Sequence, residues 1–295
     1  MGVLLFGAAV FIYRMIYKWL FAKPLASYNQ KRIIVTGASS GIGVEIAKQY
    51  ANMNCKVAIV ARRREQLEQT RTEILAECKS TGESDVMVVV ADLTKEQDCR
   101  SMVEQVVEKW GGIDICVWNA GAGSLVEFAK LKDFKVFHDN MNINFFSNVY
   151  CTSFALPYLK QTKGSIVVVS SLAGKFGTAL RTSYSASKHA LHGFFNSLRN
   201  EAPEIQVTLI CPGFVQTEFH AKATTTTGKP LERESTHFMT PKQCAEHIIE
   251  SERLGEREVL LGLKAKVGNY LMPFIPRFID YMSNKTAVAS VKKDQ

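Results

Sequence analysis

The sequence predicts a single doubly wound α/β domain, a seven-stranded parallel sheet with helices on both faces. Two observations predict it. Seven short apolar runs rich in Val and Ile recur at residues 32–36, 56–61, 86–91, 113–118, 165–170, 207–211 and 259–263. Amphipathic stretches such as 64–79, 95–110 and 184–201 lie between them. Apolar runs without polar alternation are strands buried on both faces, and strands alternating with helices build a parallel sheet under crossover helices. No repeat or linker interrupts residues 29–263, which are read as one domain.

Composition agrees. Of 295 residues 46% are hydrophobic and 22% charged, which excludes a disordered or low-complexity chain. Thirty-six Lys and Arg against 28 Asp and Glu leave a net charge of +8, a balance that suits nucleic acid, an anionic membrane or a polyanionic small molecule. No basic stripe with interleaved aromatics and no reader motif is found, so nucleic acid is set aside. The seven cysteines are dispersed, without a CxxC pair, and are read as small buried hydrophobes in a reducing compartment. No His or Cys spacing suits a metal.

Before the domain, residues 3–13 are apolar without a break, the stretch to Phe21 adds few charges, and Pro24 ends any helix. Twenty-odd helical residues reach about 30 Å, the thickness of a bilayer core. Arg14 and Lys18 share a helix face from which long stems snorkel to headgroups, and Tyr13, Tyr17 and Trp19 suit an interfacial belt. Residues 1–28 are therefore expected to be a membrane anchor with a basic collar, spanning the bilayer or lying half-inserted. The side-chain positives Arg14, Lys18, Lys23, Lys31 and Arg32 lie on its C-terminal side, which by the positive-inside bias is expected to turn the folded domain to the cytosol. At the other end, Lys292 and Lys293 resemble a dilysine retrieval address of the endoplasmic reticulum, whose membrane, or a lipid droplet, is the expected location. The sequon at Asn284 points to the lumen instead. In the extension 264–295, the apolar, Pro-containing stretch 270–282 is either a second membrane-touching element or a packed edge.

After the first strand, Gly37, Ser39, Ser40, Gly41, Ile42 and Gly43 form a turn spaced G-x-x-x-G-x-G that opens a helix. Glycines there let the backbone approach a pyrophosphate, and helix N-terminal amides hold its charge, the arrangement of a Rossmann-type dinucleotide site. Strand two ends at Arg62 and Arg63, where an NAD site wants a carboxylate and an NADP site wants guanidinium for the 2′-phosphate, so NADP(H) is the expected cofactor. Asp92 and Leu93 after strand three, and Asn119, Ala120 and Gly121 after strand four, fall where the cofactor crevice forms. The polar stretch 214–240 interrupts the alternation and is read as a lid.

Strand five ends at Ser171, and Tyr184 and Lys188 follow as i and i+4 on one helix face. An ammonium beside a phenol stabilises phenolate and brings its pKa toward neutrality, which makes Tyr184 a general acid/base. Ser171 is placed to donate a hydrogen bond to a substrate oxygen. The histidines His189, His192 and His220 are read as structural.

The glycine turn, Asn119-Ala120-Gly121, Ser171 and Tyr184-x-x-x-Lys188 together resemble the short-chain dehydrogenase/reductase family over roughly residues 29–263. Residues 166–175 (IVVVSSLAGK), 184–188 (YSASK) and Gly193-Phe194-Phe195 look like its membrane-anchored 11β-hydroxysteroid dehydrogenase and dehydrogenase/reductase member 7-like branch. The resemblance implies that Tyr184 is the acid/base, that Ser171 stabilises the substrate oxygen, and that Lys188 lowers the phenol pKa and holds the nicotinamide ribose. It also implies that Asn144, with Asn142 as competitor, anchors a relay water, and that Pro212, Gly213 and Thr217 close over the nicotinamide. Ser40 stands where some NADP-dependent members carry a lysine, which leaves the phosphate to Arg62 and Arg63. Leu125, Leu172, Phe176, Phe214 and Phe219 are expected to line an apolar substrate site. The implied protein is a homodimeric, membrane-associated NADP(H)-dependent oxidoreductase that interconverts a lipophilic, steroid-like alcohol and its ketone or aldehyde. A 3-ketosphingoid-base reductase, a retinoid dehydrogenase and a non-catalytic NADP-binding scaffold are the competing readings.

Overall fold

The computed structural model describes residues 28–78, 81–225 and 238–289, the side chains of 286–289 excepted, together with Ile16 and Leu20. The expected anchor, the middle of the expected lid and the dilysine end thus lie outside the described residues. Among the described residues no helix is long and apolar enough to cross a membrane.

Seven parallel strands form one sheet in the order β3-β2-β1-β4-β6-β7-β9. They are β1 (Arg32–Thr36), β2 (Lys56–Ala61), β3 (Val86–Val90), β4 (Ile115–Trp118), β6 (Ser165–Val169), β7 (Gln206–Cys211) and β9 (Glu258–Leu260). The apolar runs find partners along their length: Arg32 to Thr36 pair with Lys56 to Val60, and Ser165 to Val169 with Gln206 to Ile210. Each strand sends alternate side chains to opposite faces. Ile33 and Val35 join a core with Ile46, Tyr50, Leu67 and Ile248, from α1 (Ile42–Asn52), α2 (Arg64–Glu77) and α7 (Pro241–Arg253). Ile34 faces the other way, into a core with Met102, Ala155 and Phe195 from α3 (Glu96–Trp110), α5 (Ser147–Thr162) and α6 (Thr182–Glu201). All seven cysteines are buried and free, as expected of small core residues.

Between β1 and β4 the strand order reverses, and a doubly wound sheet opens its crevice at that point, outside the strand C-termini. Two features beyond the seven-strand reading border the crevice. Ser124–Leu125 (β5) pairs in parallel with Thr224–Thr225 (β8), tying the segment after β7 to the loop after β4. Helix α4 (Lys135–Met141) runs through a π-helical turn at Asn142–Phe146 into α5. Beyond β9, α8 (Leu263–Leu271) and α9 (Pro276–Ala289) fold back over the crevice, and Leu260, Cys211, Phe176 and Ile279 form a small core beneath them.

Candidate active site

An open cleft of ≈ 1160 Å³ runs from the glycine turn, past the ends of β4, β6 and β7, to α8 and α9. At its first end the turn is shaped by glycine where no other residue fits. Gly37 and Gly41 take φ of 68° and 61°, and a Cβ on Gly43 would lie 2.3 Å from the Gly37 carbonyl oxygen. Thr36 Oγ1 accepts from the backbone amides of Asn119 (2.9 Å) and Ala120 (3.1 Å), and Asn119 Nδ2 donates to the Thr36 carbonyl (2.9 Å). The turn is thereby fixed to the end of β4. No side chain caps α1 at Gly41, so its first-turn amides remain available to an anion. Gly37, Ser39, Ser40, Gly41, Ile42, Arg62, Arg63, Leu93, Asn119, Ala120 and Gly121 line this end. Arg63 Nη2 donates to Ser39 Oγ (3.0 Å) and Ser40 Oγ (3.4 Å), which brings guanidinium onto the turn. Gly43 packs behind the turn. Asp92 is spent on its own bend, accepting from the amide and hydroxyl of Thr94. Neither lines the cleft.

The reactive groups meet at mid-cleft. Ser171 follows β6 and caps the turn Leu172–Gly174, its Oγ accepting from the Ala173 amide at 3.1 Å. Helix α6 brings up Tyr184 and Lys188, each 4% exposed. Ser171 hydrogen-bonds the Tyr184 phenol. Lys188 Nζ donates to the Val169 carbonyl at 2.9 Å and lies 5.9 Å from the Tyr184 ring centre. Pro212, Gly213 and Thr217 follow β7 on the facing wall, Thr217 so close that a Cβ on Gly41 would come within 3.0 Å of its methyl.

Asn144 is fully buried on the π-helical turn while Asn142 is exposed. Its Nδ2 donates to the Ala122 carbonyl (2.9 Å) and Ser187 Oγ (3.0 Å), and its Oδ1 accepts from the Ala122 amide (2.8 Å). That side chain ties the loop after β4 to α6 and does not line the cleft.

The last third of the cleft is apolar. Leu172, Phe176, Phe214 and Phe219 line it as expected, with the Phe219 ring 6.0 Å from that of Tyr184. Leu125 does not: it is buried against Ala223 beside the β5–β8 pair. In its place, Leu263, Val267, Leu271, Phe278, Ile279 and Met282 of α8 and α9 complete the wall.

The short chain dehydrogenase family profile matches residues 31–228, the span that carries the glycine turn, Ser171, Tyr184 and Lys188. The chain belongs to the short-chain dehydrogenase/reductase family. It is 53% identical over 293 residues to a dehydrogenase/reductase SDR family protein 7-like of Dictyostelium discoideum, covering 99% of this chain and 93% of that one. It is 33% identical to 11-beta-hydroxysteroid dehydrogenase A of Sesamum indicum, covering 92% and 78%. Among solved structures, a short-chain dehydrogenase/reductase of unknown function from Caenorhabditis elegans, crystallised with cofactor, superposes with a TM-score of 0.73 at 25% identity, over 83% of this chain and 97% of that one.

In this oxidoreductase, the electrostatics of the cleft differ in one respect from the sequence expectation. Burial pushes the Tyr184 phenol up, and the opposing influences come from the Ser171 hydrogen bond and from Arg181, while Cys211 raises it slightly further. Burial also brings the Lys188 ammonium down to about 8. The Lys188 amine donates to Val169, and a second cation stands beside the phenol: Arg181, whose guanidinium carbon is 5.6 Å from the ring centre and favours the ionised form.

Sequence reading missed Arg181 and the C-terminal wall because neither carries a motif. It also missed a buried relay behind Ser171. Ser170 Oγ and His192 Nε2 are 3.0 Å apart, His192 Nδ1 lies 3.0 Å from Glu258 Oε2, and Lys175 Nζ is 2.9 Å from Glu258 Oε1. A carboxylate only accepts, so Nδ1 carries a proton, and in the neutral ring Nε2 accepts from Ser170. His192 is structural as expected, and it joins β6, α6 and β9. His189 bonds the Ser185 carbonyl one turn back, whereas His220 lines the cleft.

Proposed function

We propose that the protein is a membrane-associated, NADP(H)-dependent oxidoreductase that interconverts a lipophilic alcohol and its ketone or aldehyde. The observation that carries this reading is the order of groups along one cleft: a glycine-shaped anion cradle with two arginines, then Ser171 and Tyr184, then an apolar chamber. The cradle fits a dinucleotide phosphate, since the first-turn amides of α1 carry no side-chain cap, and Arg63 already reaches the hydroxyls of the turn. Arg62 and Arg63 favour NADP over NAD because guanidinium matches phosphate oxygens and repels nothing there.

When bound, the reduced nicotinamide supplies a hydride. The residues of the chain do the rest. Ser171 donates a hydrogen bond to the substrate oxygen and fixes it beside Tyr184. Tyr184 passes its phenol proton to that oxygen during reduction and takes it back during oxidation. Lys188, held by Val169, would hold the ribose hydroxyls of the bound nicotinamide. Asn144 keeps Ala122 and α6 in register around these groups. The aromatic and aliphatic walls exclude water and select an apolar substrate.

Membrane association is supported by the apolar stretch 1–28 and by the exposed apolar side chains of α8 and α9 at the cleft mouth. The basic collar and Lys292-Lys293 support a location at the endoplasmic reticulum with the domain in the cytosol.

The test is Tyr184→Phe in the full chain, assayed with NADPH against steroid ketones, retinal and 3-ketosphingoid bases. Turnover is expected to fall at least about 100-fold while NADPH binding, read by its fluorescence, is retained. Turnover within a few-fold of wild type removes the acid/base assignment.

A further inference from the structure

Arg181 sits where a cation is least comfortable. It is 7% exposed, it occupies the N-cap position of α6, and the residue before it, Leu180, holds a left-handed φ of 65°. The positive end of the α6 dipole repels a guanidinium, and burial strips its water. A buried charge normally keeps a carboxylate partner, yet among the described residues no acceptor meets the Arg181 side chain, and its Nη2 is a buried donor without a bond. Backbone strain and an unpaired buried charge at one position are features that persist at functional sites. The guanidinium does have one neighbour of consequence, the Tyr184 ring at 5.6 Å.

We propose that Arg181 is an electrostatic positioning residue for the proposed reaction, stabilising the phenolate of Tyr184 through the low-dielectric wall of the cleft. It acts beside the other groups that surround the phenol. On α6 itself, the other cation, Lys188, is drawn to the Val169 carbonyl. From the end of β7, Cys211 faces the phenol as a thiol, its own pKa pushed up to about 12. In the segment after β7, Glu218 is paired with Lys222, and His220 packs between Phe214 and Phe219. Lys264 of α8 lines the outer cleft and is exposed, where water screens it. From the turn after β6 the phenol receives only the Ser171 hydrogen bond. Two charges several ångströms apart in a protein wall still interact by enough to move a pKa by about one unit. No acid among the described residues pairs with Arg181, so none of them cancels its field before it reaches Tyr184.

The inference rests on Tyr184 being the acid/base, and the experiment separates the two. The full chain is labelled with ζ-13C-tyrosine, the Tyr184 resonance is assigned by its loss in Tyr184→Phe, and the phenol is titrated in wild type, Arg181→Met and Arg181→Lys. The Met variant is expected to titrate about one pH unit above wild type, the Lys variant close to wild type. Thermal unfolding of Arg181→Met is expected at or above the wild-type temperature, since an unpaired buried charge is removed. Coincident titrations of wild type and Met variant overturn the proposal, as does a wild-type phenol that fails to titrate before the chain unfolds. A shift shared equally by Met and Lys, or a loss of stability in Arg181→Met without a titration shift, also overturns it by showing a packing role. Active Tyr184→Phe would instead overturn the acid/base reading, whatever the titrations show.

Discussion

Arg63 reaches back across the end of β2 to two hydroxyls of the glycine turn, while its neighbour Arg62 lines the same cleft with no hydrogen bond among the described residues. The two are therefore not equivalent. Arg63 is already committed to shaping the turn, and Arg62 is the guanidinium free to meet a 2′-phosphate. Charge-assisted hydrogen bonds of this kind are worth about 1.5–3 kcal/mol, so Arg62→Asp is expected to lower kcat/KM for NADPH about 10- to 100-fold while leaving NADH unchanged or improved. Steady-state kinetics with both cofactors checks this, and an unaltered ratio would mean that the phosphate is held elsewhere. At this scale, what the sequence revealed depended on local spacing. Tyr184 and Lys188 were legible because four residues in a helix return a side chain to the same face. That Asn144 is buried and Asn142 exposed follows from a π-helical turn, which no pattern of residues displays. Arg181 was invisible for a similar reason: an arginine before a helix reads as a solvated charge until the fold closes over it.

Elements matter through what joins them, and the clearest joint is the chain Ser170, His192, Glu258 and Lys175, which binds the end of β6 and the middle of α6 to β9. Its hydrogen bond from His192, with help from Lys175, pulls the Glu258 carboxyl down to about 2 from an ordinary 4.5, against the opposing effect of burial. A carboxylate with a depressed folded pKa contributes stability above its unfolded pKa and loses it as pH falls through the folded one. Glu258→Gln is therefore expected to cost on the order of 2 kcal/mol near neutrality. The difference from wild type should shrink between about pH 4.5 and 2. Chemical denaturation of both proteins across that range measures it, and a difference that does not change with pH would assign the loss to packing alone. The strands of the main sheet were readable because their Val and Ile runs are buried on both faces. The β5–β8 pair was not, since two residues carry no periodicity and the pairing exists only because Thr224 lies beside Ser124 in space. The stretch 270–282, readable from sequence as membrane-touching or as a packed edge, spans parts of α8 and α9, and its Ile279 packs with Phe176 and Leu260.

Over the whole molecule, the faces of α8 and α9 turned away from that small core are unusual for a protein surface. Leu263, Val267, Tyr270, Phe274, Ile275, Phe278, Tyr281 and Met282 are all exposed, Phe274 to 72%, on the two helices and the turn that joins them. Scattered apolar residues on a surface need no explanation, but a contiguous patch of this kind marks a contact with membrane or protein. Lys264, Lys266, Arg277 and Lys285 are exposed on the same segment, with Asp280 the acidic residue among them, so the patch is apolar with a basic fringe, which suits an anionic bilayer surface. Val267, Phe278 and Met282 belong both to this patch and to the cleft wall, so a lipid pressed against the helices would stand at the cleft mouth. The proposed function then has a route: an apolar substrate enters from the bilayer without crossing water. Burying one phenylalanine contributes about 1.5–3 kcal/mol, so Phe274→Glu is expected to raise KM at least about tenfold for a long-chain ketone presented in anionic phospholipid vesicles. A short, water-soluble ketone should keep its KM, because Phe274 does not line the cleft. Equal effects on the two substrates would mean that the substitution disturbs the cleft itself, and no effect on either would leave α8 and α9 without a part in substrate delivery.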